Sequence, residues 1–185
     1  SFYTAARRGA LAMPDDEHAA SLFELSQNVL GEAGLPAYEI SNHARPGHEC
    51  RHNLTYWTYG DYIGIGPGAH GRLTIDQTKH ATRQVRKPER WLDDVACRGH
   101  GTEECLGLAR SERLTELLIM GLRLGGGIQR QRFRDETASD IEAALDSDKL
   151  AELQEMDLLI LDHDGLRATP KGRQRLDAVL TRLLG

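Results

Sequence analysis

"DYIGIGPGAHG", residues 61–71, is the stretch whose reading decides the fold. Tyr62 and Ile63 are strand formers, so Gly64, Gly66 and Gly68 fall at the end of a strand. Glycine there lets the backbone approach a ligand, or another strand, more closely than any Cβ allows. The stretch is not a Walker A sequence, since it lacks Gly-Lys-Ser/Thr, and its second and third glycines are too close for the GxGxxG of a dinucleotide fold. From these residues alone two readings stand: a strand end lining a site of an α/β barrel, where such sites are built, or a tight turn without a ligand.

Upstream, Ala19, Leu22, Phe23, Val29, Leu30 and Ala33 recur at spacings of three and four, which predicts a helix between Pro14 and Gly34. "PAYEIS", 36–41, then reads as a short buried strand after a tight turn. A helix followed closely by a strand is half of a repeating α/β unit. The polar, His-rich residues between the two strands are too many for an idle loop, so they are read as a functional or covering segment.

Downstream, Asp76-Gln77 sits between two alternating segments and predicts a β-ribbon. "KPERWLDDVACRG" predicts a short helix between Pro88 and Gly99. The stretch from Gly99 to Ala109 has little periodicity and is read as a linker and domain boundary. Leu114, Leu117, Leu118, Gly121 and Leu122 then mark a helix ended by "GGG" at 125–127, followed by a helix over 129–136. Ser139 and Glu142 have capping-box spacing, and Leu150, Leu153 and Met156 mark a further helix. Asp164-Gly165 predicts a hairpin, and Thr169-Pro170 starts a last helix carrying Leu176, Val179, Leu180 and Leu183. Helices, a hairpin and a helix make a small α+β, winged-helix-like module.

The expected organisation is therefore 1–75 as an α/β portion, 76–109 as ribbon, short helix and linker, and 110–185 as the α+β module. A net charge of -5 over 185 residues argues against a nucleic-acid binder acting through its whole surface. Only the tail is basic, with Arg167, Lys171, Arg173, Arg175 and Arg182 against Asp177, and the helix preceding the hairpin is acidic. No nucleic acid is expected as a partner. No apolar run approaches the length of a transmembrane helix. Cys50, Cys97 and Cys105 are odd in number and widely spaced, which fits a reducing compartment and is read as cytoplasmic. The chain begins at Ser1 without an initiating Met and reads as part of something longer.

"HECRHNLTYW", 48–57, concentrates donors and aromatic rings in a chain that is 5% aromatic. On a strand, His48, Cys50 and His52 would share one face, but the spacing matches no structural zinc pattern. His52 with Tyr56 and Trp57 supplies an axial donor and flat apolar walls, the ingredients of a porphyrin site. A hydrogen-bonded core histidine is the competing reading.

The whole run "YEISNHARPGHECRHNLTYWTYGDYIGIGPGAHGR", 38–72, resembles, nearly without gaps, the HemW-type radical S-adenosylmethionine heme chaperones, often described as oxygen-independent coproporphyrinogen III oxidase-like proteins. "ATRQVRKPERWL", "ERLTELLIMGLRLGGGI" and "LRATPKGRQRLDAVLTRLL" extend the resemblance, and "HNLTYW" fits the family's HNxxYW pattern. The resemblance implies that residues 1–75 are the carboxyl-terminal portion of a partial (β/α)6 radical-SAM barrel and that 110–185 are a HemN-type carboxyl-terminal domain. It implies heme contact by His52, Asn53, Tyr56 and Trp57, with His52 as the metal ligand. It also puts Gly64, Gly66 and Gly68 near S-adenosylmethionine. The family's cluster-binding CxxxCxxC has no counterpart here, so the [4Fe-4S] cluster belongs to the intact protein and this stretch alone is expected to be catalytically silent. The implied partners are heme and heme-acceptor proteins. The alternative is radical decarboxylation of coproporphyrinogen by an oxidase.

Overall fold

Phe2–Arg7 form helix α1 and Asp16–Glu32 form helix α2 in a computed structural model that describes residues 2–10 and 13–185, among them every candidate site residue. Asp15 starts α2 by accepting a hydrogen bond from the His18 amide at 2.8 Å. The helix is where its periodicity predicts, yet no residue of α2 is fully buried, and Leu22, Leu25 and Val29 are exposed. The chain divides into two units, Ser1–Glu49 and Cys50–Gly185.

In the first unit "PAYEIS" is not a strand. Ala37 makes an isolated bridge to His43, and the loop between them closes on Glu39. That buried carboxylate accepts from the Ser41 amide and hydroxyl, both at 2.8 Å, and from the Asn42 side chain. A strand needs a neighbour for its N–H and C=O groups; here local side-chain bonds take that role and curl the segment.

The second unit opens with helix α3, Arg51–Trp57, and continues through a glycine-rich loop to β1, His70–Ile75, and β2, Thr78–Gln84. Asp76 and Gln77 both take positive φ, the conformation of a two-residue hairpin turn that matches strand twist. Helix α4, Pro88–Arg98, follows with Pro88 in its first turn and Gly99 left-handed after its end. Thr102–Gly107, read as a linker, form β3, the third strand of an antiparallel β1-β2-β3 sheet. An edge strand has no need of apolar alternation, and β3 is held instead by backbone pairing and by Arg83, which bonds Glu104 across the ladder. The 61–63 segment is likewise no strand of a ladder: Tyr62 alone bridges to Arg72.

Residues 110–185 form the winged-helix-like module. Its elements are α5, Arg110–Gly121; β4, Ile128–Gln129; α6, Arg130–Thr137; α7, Ile141–Ala144; α8, Ser147–Glu155; β5, Leu159–Leu161; β6, Gly165–Ala168; α9, Pro170–Gln174; and α10, Leu176–Leu184. The sheet order is β4-β6-β5, with β6 antiparallel to both neighbours. Leu117, Leu118 and Leu122 meet Phe133, Leu166 and Val179 in a core where each is at most 1% exposed. Each such side chain contributes about 1.5–3 kcal/mol by leaving water. Asp140, not Ser139, is the N-cap of α7, so the expected capping box does not form. The last helix also breaks, at Arg175, into α9 and α10.

Candidate functional site

The HNxxYW residues lie on α3, so the strand reading of His48, Cys50 and His52 does not hold. On a helix His52 and Tyr56 are one turn apart on the same face, whereas Cys50 is the N-cap and is exposed. His52 is exposed, and its ring meets Tyr56 edge-on with centroids 4.7 Å apart. Tyr56 in turn packs on Tyr62 of the glycine-rich loop at 4.2 Å. Burial pushes the Tyr62 hydroxyl's pKa above its usual value. Trp57 turns away from this aromatic row, and its ring lies under the Arg123 guanidinium at 4.4 Å. Its indole Nε1 is buried and meets no hydrogen-bond acceptor. Asn53 is half-buried on the same helix.

The three glycines do different things. A Cβ on Gly64 would sit 2.3 Å from the His70 carbonyl oxygen, so this glycine is required by the chain's own approach to β1. Gly66 and Gly68 take left-handed φ of 105° and 72° in the turn that follows. A Cβ on Gly66 would meet nothing within 4 Å, which leaves its backbone open to a close neighbour. Ile63 and Ile65 flank the loop and are 68% and 82% exposed.

Residues that the motif did not point to hold α3 in place. Tyr59 is 3% exposed, and its hydroxyl donates to Glu116 of α5 at 2.7 Å. Arg72 of β1 grips the same carboxylate through Nε at 2.9 Å and Nη2 at 2.6 Å. Burial pushes the Glu116 carboxyl up, but the hydrogen bonds from Arg72 and Tyr59, together with the Arg72 and Lys79 charges, hold it below its usual pKa. Lys79 of β2, 1% exposed, donates to the Tyr59 carbonyl at 2.7 Å and to Glu136 of α6 at 3.0 Å. Arg113 and Arg132 also pair with Glu136, at 3.1 and 3.4 Å. The alternating "YGDY" and "TKH" gave no periodic signal for this network.

Cys50, Cys97 and Cys105 are all free and exposed. Their separations and exposure do not fit a [4Fe-4S] cluster, which needs thiolates converging from neighbouring positions. Among the described residues, the one grouping of three metal-capable side chains is Asp162, His163 and Asp164 on the exposed wing turn. The basic tail is partly neutralised, since Arg167 pairs with Asp162 and Arg182 with Glu152. Helix α8, which precedes the wing, carries Asp148, Glu152 and Glu155.

The sequence model described as HemN C-terminal domain matches residues 108–175. Radical S-adenosyl methionine domain-containing protein 1, mitochondrial, of Bos taurus is 42% identical over 100% of this chain and 43% of its own length. Heme chaperone HemW of Mycobacterium tuberculosis is 37% identical over 97% of this chain and 43% of that protein. HemW of Bacillus subtilis is 29% identical over 100% of this chain and 47% of that protein. The coproporphyrinogen III oxidase HemN of Escherichia coli superposes with a TM-score of 0.64 at 16% identity, covering 91% of this chain and 41% of that structure, a likeness of fold. The chain therefore spans less than half the length of these relatives, and over that length it is similar to the HemW-type, HemN-like radical S-adenosylmethionine proteins.

Proposed function

We propose that this chain supplies the heme-contacting part of a heme chaperone that passes heme to acceptor proteins, with α3 as the contact helix. The observation that carries the reading is the exposed His52 imidazole, set edge-on against Tyr56 on the HNxxYW helix. These residues fit heme in kind: an accessible imidazole for the iron, with the Tyr56 and Tyr62 rings as aromatic walls beside it. Bound heme supplies the iron that the imidazole ligates. His52 would present the donor, with the Tyr56 ring set against it from one turn along the same helix.

Gly66 and Gly68 are the glycines suited to close backbone approach by S-adenosylmethionine in the intact protein; Gly64 already answers to His70. The exposed, free cysteines support a reducing compartment, and the cytoplasm is part of this proposal, although the bovine relative is named as mitochondrial. No helix among the described residues is long and apolar enough to cross a membrane.

Titrating heme into the full-length protein and its His52→Ala variant tests the ligand. A shifted Soret band and an affinity about tenfold weaker are expected; an unchanged spectrum and affinity would remove His52 from the site. Anaerobic incubation of the full-length protein with coproporphyrinogen tests the chaperone reading separately. Formation of protoporphyrinogen would replace it with the oxidase.

A further inference from the structure

Helix α3 spans seven residues, Arg51–Trp57, and its N-cap, Cys50, makes no side-chain capping bond. Two turns cannot hold themselves as a helix in water, so the placement of His52 is decided by whatever grips the ends. At the carboxyl-terminal end, Thr58 is the C-cap and Tyr59 follows it, with φ of 56° in the left-handed region that a bulky residue enters only when its surroundings compel it.

Those surroundings are unusually complete. The Thr58 carbonyl accepts from Arg132 Nε at 3.1 Å. The Tyr59 carbonyl accepts from Arg132 Nη2 at 2.5 Å and from Lys79 Nζ at 2.7 Å. The Lys79 ammonium also lies 4.2 Å from the centre of the Tyr59 ring, and the Tyr59 hydroxyl donates to Glu116. Two cations therefore sit where a helix ends in unsatisfied carbonyls and partial negative charge. The tethers come from β2 and from α5 and α6 of the winged-helix module. Glu136 ties Lys79, Arg113 and Arg132 together behind them.

We propose that Tyr59 is a positioning residue through which the winged-helix module sets the place of α3, and with it the affinity of the HNxxYW face for heme. The heme part rests on the proposed function; the anchoring of α3 does not. The module then acts on the site without touching the ligand. Loosening Tyr59 from Glu116, or Arg132 from the two carbonyls, frees the helix that carries His52.

The test uses the full-length protein and its Tyr59→Phe, Arg132→Met and His52→Ala variants. Three quantities are measured: heme affinity by Soret titration, the thermal midpoint, and amide hydrogen exchange without heme. Tyr59→Phe and Arg132→Met are expected to speed exchange selectively at residues 51–59 while the amides of α5 and α8 stay protected. They are also expected to weaken heme about tenfold without shifting the Soret position, as removal of a support behind a ligand does. Unchanged exchange at 51–59 in both variants overturns the proposal. So does faster exchange throughout the module in step with a lowered midpoint, since that marks a merely structural role. If His52→Ala leaves heme binding unchanged, the proposed function fails instead, and exchange at 51–59 alone decides whether Tyr59 anchors α3.

Discussion

Glu116 shows how a single residue binds two parts of the second unit. Its folded pKa lies below the unfolded carboxylate value, because Arg72 and Tyr59 favour the charged form more than burial disfavours it. A depressed carboxylate contributes stability that is fully present above the unfolded value of about 4.3 and is lost as pH falls through the folded value. Thermal melts between pH 7 and pH 3 should therefore show the midpoint falling below about pH 4.3, with a shallower fall in Glu116→Gln. Lys79 is a harsher case, since its ammonium is buried against Glu136 at 3.0 Å. Lys79→Ala leaves Glu136 to Arg113 and Arg132 but removes the ammonium from the Tyr59 carbonyl and opens a cavity; a loss of about 2–4 kcal/mol in urea unfolding is expected. Neither role was legible from sequence, where Lys79 sits among polar neighbours and looks like an exposed strand residue. What surrounds it is Tyr59 from beyond the end of α3 and Glu136 from α6.

At the scale of elements, the helices and turns with local chemistry stood where the sequence puts them. Pro88 and Gly99 bracket α4, Asp76-Gln77 turn the β1-β2 hairpin, and Thr169 caps α9. Thr169 is buried, accepts from the Gly172 amide at 2.9 Å and donates to the Asp157 carbonyl at 2.7 Å. Thr169→Ala removes both bonds and should cost about 1–2 kcal/mol by denaturant titration, whereas Thr169→Ser should keep most of that. The glycine-rich loop behaves differently, since Gly64 is fixed by a long-range approach to His70. Gly64→Ala should destabilise the second unit by about 1–3 kcal/mol, read as a lowered midpoint, because backbone must shift to admit the methyl. Strands were the poorer reading. "PAYEIS" and "DYIG" have strand composition but no ladder, and β3 has a ladder without strand composition. Pairing depends on a partner, which composition does not contain.

At the scale of the molecule, the buried apolar residues among those described all belong to 50–185. A unit without a buried apolar core cannot offset the entropy of ordering its chain. Residues 50–185 produced alone should unfold cooperatively by circular dichroism, and residues 1–49 alone should show no such transition. The winged-helix module within 50–185 presents an acidic α8 and a tail whose Arg167 and Arg182 are already paired. Duplex DNA titrated at low salt should accordingly show no saturable, salt-dependent binding.

The sequence by itself determined the family resemblance, the helices α2, α4, α5, α6 and α8, both hairpin turns and the order of the last elements. Each of these rests on local periodicity, on caps and on motif identity, which are written in neighbouring residues. Only the tertiary structure decided that HNxxYW is a helix rather than one face of a strand, and that its end is gripped by Glu116, Lys79 and Arg132. The physical reason is separation along the chain. Glu116 and Tyr59 are 57 positions apart, and an ion pair or hydrogen bond across that distance leaves no periodic mark on either partner.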